Sequence, residues 1–131
     1  MFYEGKLMME PWRIYALSFF PQLSIDLLDE EYSYYSLFYD VYYVLKLHRH
    51  SDALLVEKLY AFAAWCLRQD DDDIVNAVRV GFYEHLFDHK EDWDSSMHWL
   101  TSTPQCIPLC WSLWEARLSP ADLAELREAL L

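Results

Sequence analysis

The chain has 131 residues, 54% of them hydrophobic and 18% aromatic, which is the length of one ordinary domain and too apolar for a disordered tail. Acidic residues outnumber basic ones 22 to 10, a net charge of −12 that repels nucleic-acid phosphate and anionic membrane and suits a basic protein partner. Gly is scarce at 2 and Pro at 5, so turn-rich all-β folds are disfavoured and an all-α fold is expected: a single-domain bundle of about five to seven helices.

In chain order, residues 1–10 have no clear pattern and are expected to form a loose arm. MFYEGKLMMEPWR has neither the basic start nor the continuous apolar run of a signal peptide. Pro11 suits a first helical turn, and Trp12, Tyr15, Ala16 and Phe19 recur at helical spacing until Pro21 ends the helix. Residues 21–30 read as a connection with room for a helical turn.

Glu31 to His48 reads as a long helix. Tyr34, Leu37, Phe38, Val41, Val44 and Leu45 form one apolar stripe, and Tyr32, Tyr35, Tyr39, Tyr42 and Tyr43 a second beside it. Such a helix is either covered on most sides or turns its tyrosines toward a partner, since a phenol ring buries well while its hydroxyl stays wet. His48, Arg49 and His50 suit the negative end of its dipole.

Ser51 or Asp52 caps the next helix, which runs to about Arg68 with Leu55, Leu59, Phe62 and Cys66 on one face. Ala61, Ala63 and Ala64 allow close approach of a neighbour. The run Asp70, Asp71, Asp72, Asp73 lacks the glycine and twelfth-position Glu of a calcium loop and reads as a helix start, where carboxylates satisfy free N–H groups. That helix is expected from Asp73 to about Asp88, with Ile74, Val78, Phe82 and Leu86 in one row. Gly81 inside it marks close packing.

On such a helix His85 and His89 would share a face, as paired metal ligands can, but HLFDH is not a zinc-peptidase motif and no third ligand is identifiable. Glu84 and His85, being adjacent, would diverge. Residues 90–94, including Glu91, Asp92 and Asp94, form an acidic connection, and Asp94 or Ser95 caps a short helix with Met97, Trp99 and Leu100. A further helix carries Ile107, Cys110 or Trp111, Trp114 and Leu118. Ser119-Pro120-Ala121-Asp122 is a strong start signal for the last, which turns Leu123, Leu126 and Leu130 inward.

Cys66, Cys106 and Cys110 are odd in number and form no CxxC pair. Cys106 and Cys110 are four apart, a spacing open to metal, but without a second pair the thiols are expected to be reduced and buried in a cytoplasmic protein. No phosphate loop, nucleophile elbow or basic patch is present. The reading is of no enzyme, no cofactor and no metal.

LYAFAAWCLRQDDDDIVNAVRVGFYEHLFDH, residues 59–89, resembles the core of an uncharacterised bacterial family of small helical proteins. The shared features are an aromatic-Ala-Trp helix at Tyr60 to Cys66, a polar corner, then Asn76 to Val78 and Phe82 to Glu84. Small acidic helical proteins of this sort resemble the immunity proteins of bacterial toxin–immunity systems. The resemblance implies an inhibitor that binds a cognate toxin, basic or nucleotide-handling, and blocks its active site; no catalytic residue carries over. The expected contacts are Tyr32, Tyr35, Tyr39 and Tyr43 with Asp70 to Asp73 and Glu91, Asp92 and Asp94. Three alternatives stand beside this reading. They are an acidic anti-nuclease mimic of phage origin, a helical enzyme or metal protein using Glu84, His85 and His89, and a homodimer joined through the tyrosine stripe.

Overall fold

A computed structural model of the chain describes residues 10–131, without the side chains of Ser24 and Ile25. The arm expected over residues 1–10 therefore lies, Glu10 apart, outside the described residues. All regular structure among the described residues is helical, as composition predicts. The elements are α1 (Pro11–Phe19), a short turn α2 (Ser24–Leu27), α3 (Tyr34–His48), α4 (Ala53–Leu67), α5 (Asp72–Gly81), α6 (Trp93–Thr101), α7 (Ile107–Arg117) and α8 (Pro120–Leu130), with 3₁₀ turns between some of them.

The helices begin where a side chain can accept the free N–H groups of a first turn. Ser33 Oγ accepts from Ser36 N at 3.2 Å, so α3 starts at Tyr34, three residues after the expected Glu31. Asp52 caps α4 through Leu55 N at 3.1 Å, and Ser119 caps α8 through Asp122 N at 3.2 Å. Asp71 takes Asp73 N at 3.0 Å and Ile74 N at 3.4 Å, so the acidic run is a helix start. α6 begins earlier than its expected cap at Asp94 or Ser95: it starts at Trp93, and no side chain caps it.

α4 lies at the centre. Val56, Leu59, Tyr60, Phe62, Ala63, Ala64, Cys66 and Leu67 are all buried, covering more of its circumference than one face. Phe62 is its hub, with ring centroids 5.5 Å from Phe20, 5.8 Å from Phe38 and 5.9 Å from Phe19. Large rings packed at these separations supply much of the core's burial. Cys66, Cys106 and Cys110 are buried and free, and burial pushes the Cys110 thiol up to about 12.

Two arginines hold the connections around α3. Arg13 is buried, and its guanidinium donates to the carbonyls of Leu27 (3.1 Å), Asp29 (2.8 Å), Glu30 (3.3 Å) and Tyr32 (2.5 Å). One planar fork thus gathers the carbonyls of a connection that no helix satisfies. Arg49, also buried, meets Asp92 at 2.6 Å and ties the end of α3 to the turn before α6.

The expected helix from Asp73 to Asp88 is the main departure. α5 stops at Gly81, and residues 82–89 continue as short turns. A Cβ on Gly81 would stand 2.8 Å from Phe38 Cβ, so α3 and α5 approach there only because glycine has none. Side chains from three other helices replace the missing helical hydrogen bonds. Trp114 Nε1 donates to Tyr83 O at 2.8 Å, Tyr42 Oη to His85 O at 2.9 Å, Ser96 Oγ to Leu86 O at 2.8 Å and Trp93 Nε1 to Phe87 O at 3.0 Å. Phe82 and Leu86 keep the apolar row's burial without keeping its helix.

Candidate functional site

The aromatic circumference of α3 is divided by the fold. Leu37, Phe38, Val41 and Leu45 are fully enclosed. On the opposite side Tyr35, Tyr39, Tyr43 and Leu47 are 49%, 77%, 58% and 58% exposed. Successive members are four residues apart, so they line one side of a helix about 22 Å long. Leu47 extends the row by the same spacing that places the tyrosines, a signal present in the sequence that the tyrosine pattern alone overlooks.

Tyr32 and Tyr42 leave this row. Tyr32 precedes α3 and donates its hydroxyl to Asp40 Oδ2 at 2.6 Å; burial first, then that bond and the Asp40 charge, raises its pKa far above the ordinary phenol value. Tyr42 turns inward to the His85 carbonyl, and burial raises its pKa despite the opposing charge of Arg49.

Between α3 and the turn after α5 lies a groove of about 320 Å³, lined by Tyr35, Tyr39, Tyr42, Tyr43, Lys46, Gly81 and His85. His85 is held on its other side. Its Nδ1 is 2.9 Å from Asp88 Oδ2, and Asp88 Oδ1 is 2.7 Å from Arg117 Nη2. Partial burial opposes ionisation of Asp88, yet hydrogen bonds from Arg117 and His85 outweigh it and hold the carboxyl below its ordinary value of 3.8.

Because α5 ends at Gly81, His85 and His89 are not helical neighbours, which corrects the expected i, i+4 pair. His89 stands exposed beyond the 3₁₀ turn, with an extended backbone. Glu84 Oε2 stands 3.9 Å from His85 Nε2. Among the described residues no group of three His, Cys, Asp or Glu side chains is placed to hold a metal ion.

This geometry belongs to a stretch with relatives. The family model described as Domain of unknown function (DUF7674) matches residues 14–107. The chain belongs to this DUF7674 family. No curated protein and no solved structure matches the chain. The DUF7674 match contains all of α3, α5 and every groove residue, whereas Arg117 lies beyond it.

The two acidic corners fall at opposite ends of α3. Asp70, Asp72 and Asp73 are exposed, while Asp71 is also the α5 cap. Burial first, then the charges of Asp73 and Asp71, raises the Tyr34 phenol, and the Tyr34 ring stacks on Tyr35 at 5.2 Å. At the other end Glu91 and Asp94 are exposed, and Asp92 is engaged by Arg49, with His50 Nε2 at 3.8 Å. The fold thus brings Tyr35, Tyr39 and Tyr43 together with carboxylates at both ends of their helix. It gives Tyr32 and Asp92 internal partners. Arg13 and Arg49 carry no sequence signal of burial, since an arginine in a helical pattern ordinarily marks its polar side.

Proposed function

We propose that the protein is an interaction protein of the immunity type: an inhibitor whose α3 outer face binds a cognate basic toxin, or a similar basic enzyme, and blocks its active site. The observation that supports this reading is the exposed row Tyr35, Tyr39, Tyr43 and Leu47. Large apolar side chains set in a line on a strongly charged domain are the composition of a protein-binding patch, where tyrosines supply buried area at small loss of side-chain freedom. Carboxylates at both ends of the helix complete a polar rim that attracts a basic surface and speeds encounter. The net charge of −12 favours such a partner over a second copy of the chain.

The test is to express the tagged protein in its native host, identify what is retained, and assay that enzyme with and without the protein. A stoichiometric basic enzyme that loses activity on binding supports the proposal. Retention of nothing, or of an enzyme whose activity is unchanged, removes it. Charge reversal at Asp72 and Asp73 then slows association, more strongly at low salt, because both are exposed and neither supplies the side-chain cap of α5.

A second reading, a helical enzyme, draws on His85, whose Nδ1 contact to Asp88 is the arrangement that orients a general base. If no protein partner is found, His85→Gln in a substrate screen is the discriminating experiment: a turnover that it abolishes would favour this reading.

A further inference from the structure

The groove beside α3 carries chemistry that a flat protein-docking face does not need. Four phenol rings wall it, and the two remaining side chains that line it, Lys46 and His85, both bear nitrogen donors or cations. No carboxylate lines it, though Asp88 and Glu84 stand 2.9 and 3.9 Å from the ring nitrogens of His85. Its volume of about 320 Å³ falls at the lower end of the range for small-molecule sites.

We propose that this groove binds a planar aromatic anion, of which a nucleoside monophosphate is the simplest probe, with the ring system against the tyrosines and the anionic group met by Lys46. Aromatic faces stack on planar rings with little regard to their identity. The Lys46 ammonium answers a phosphate or carboxylate. A purely apolar occupant would take the Lys46 ammonium out of water with nothing in return. A cationic occupant would meet Lys46, and the nearest carboxylates, Glu84 and Asp88, are already paired with His85 and, for Asp88, with Arg117. The net charge of −12 acts against an anion, but Asp88 is paired with Arg117 beside the groove, and carboxylates beyond about 8 Å are screened at physiological ionic strength.

This site shares a face with the proposed docking surface but does not depend on it, because small-ligand binding is measured on the isolated chain. The experiment is a titration with adenosine monophosphate, followed by calorimetry and by amide chemical shifts, with adenosine and inorganic phosphate as separate arms. Saturable binding at about 1 mM or tighter is expected for the monophosphate, with shifts centred on Tyr39, Tyr43 and His85. Adenosine should bind about tenfold more weakly, and phosphate more weakly still.

Tyr39 and Lys46 are exposed, so Tyr39→Ala and Lys46→Ala should unfold at the temperature of the parent. Tyr39→Ala should weaken both adenosine compounds about tenfold. Lys46→Ala should reduce the monophosphate to the affinity of adenosine. The proposal is overturned by no saturable binding of the monophosphate, by equal affinity for adenosine and its monophosphate, or by a Lys46→Ala variant that keeps their difference. Tighter binding of N-acetyl-argininamide than of the monophosphate would assign the groove a cationic occupant and overturn it as well.

Discussion

The two faces of α3 carry nearly the same kind of sequence and meet opposite fates. Leu37, Phe38, Val41 and Leu45 are enclosed, while Tyr35, Tyr39, Tyr43 and Leu47 stand in solvent. The inner face meets α4 and α5, where Phe38 packs on Phe62 and against Gly81. The outer face meets none of the rings of the core. A helix apolar over most of its circumference does not announce which side is core; a neighbour decides that. What marks the outer side is that its aromatics are tyrosines, which tolerate water at the hydroxyl end. The inner face then accounts for stability, and the outer face is the one proposed for recognition.

The comparison is broken most forcefully from the inside. Phe38→Ala should lower stability by about 3–5 kcal/mol in a urea titration, because it empties space beneath α4 and α5. Asp92→Asn should be next, at about 3 kcal/mol, since it leaves the buried Arg49 charge without its carboxylate. Were Asp92 mainly a partner contact, the variant would be as stable as the parent. Gly81→Ala should destabilise by about 1–3 kcal/mol, because the new methyl group and the Phe38 side chain cannot both keep their places.

On the outer face Tyr39→Ala and Tyr43→Ala should each change stability by less than about 0.5 kcal/mol. A loss as large as that of Phe38→Ala would erase the distinction between the faces.

The smallest expected effect concerns pH and sharpens the role of His85's support. The folded-state carboxyl of Asp88 lies below its ordinary value of 3.8, so its ionised form is favoured by folding. That contribution is complete at neutral pH and is lost as pH falls from 3.8 through the folded value. Parent and Asp88→Asn should therefore differ slightly in urea midpoint at neutral pH and converge in acid. The difference is small because the Asp88–Arg117 pair is only partly buried and water screens it.

Much of the fold was legible. Ser119-Pro120, Asp52 and the Asp71 cap are short-range signals, and each begins a helix as its chemistry requires. Periodicity marked the apolar stripe Leu37, Phe38, Val41 and Leu45 of α3, but on α4 it marked only part of what is buried, since Tyr60, Ala64 and Leu67 lie off the expected face. The end of α5 did not, because Phe82 and Leu86 continue a helical row of apolar residues and are indeed buried. The competing signal was Gly81, read as a packing glycine when it is also the last helical residue. Only the distant donors Tyr42, Ser96, Trp93 and Trp114 make the non-helical continuation affordable, and no local pattern reveals them.

At the candidate site, the placement of Tyr35, Tyr39 and Tyr43 on one side of α3 was readable from spacing. The removal of Tyr32 to Asp40 and of Asp92 to Arg49 was not, since both depend on which residues the turns bring near. The groove itself arises from the early stop of α5 and was invisible for the same reason.

The most direct test of the account is the affinity of the captured enzyme for the parent chain and for Tyr39→Ser/Tyr43→Ser, measured together with the unfolding temperatures of both. The account predicts unchanged unfolding and a loss of affinity of at least about a hundredfold, as expected when two central aromatic anchors are removed. Equal affinity for both chains would contradict it and leave the outer face of α3 without the role assigned to it.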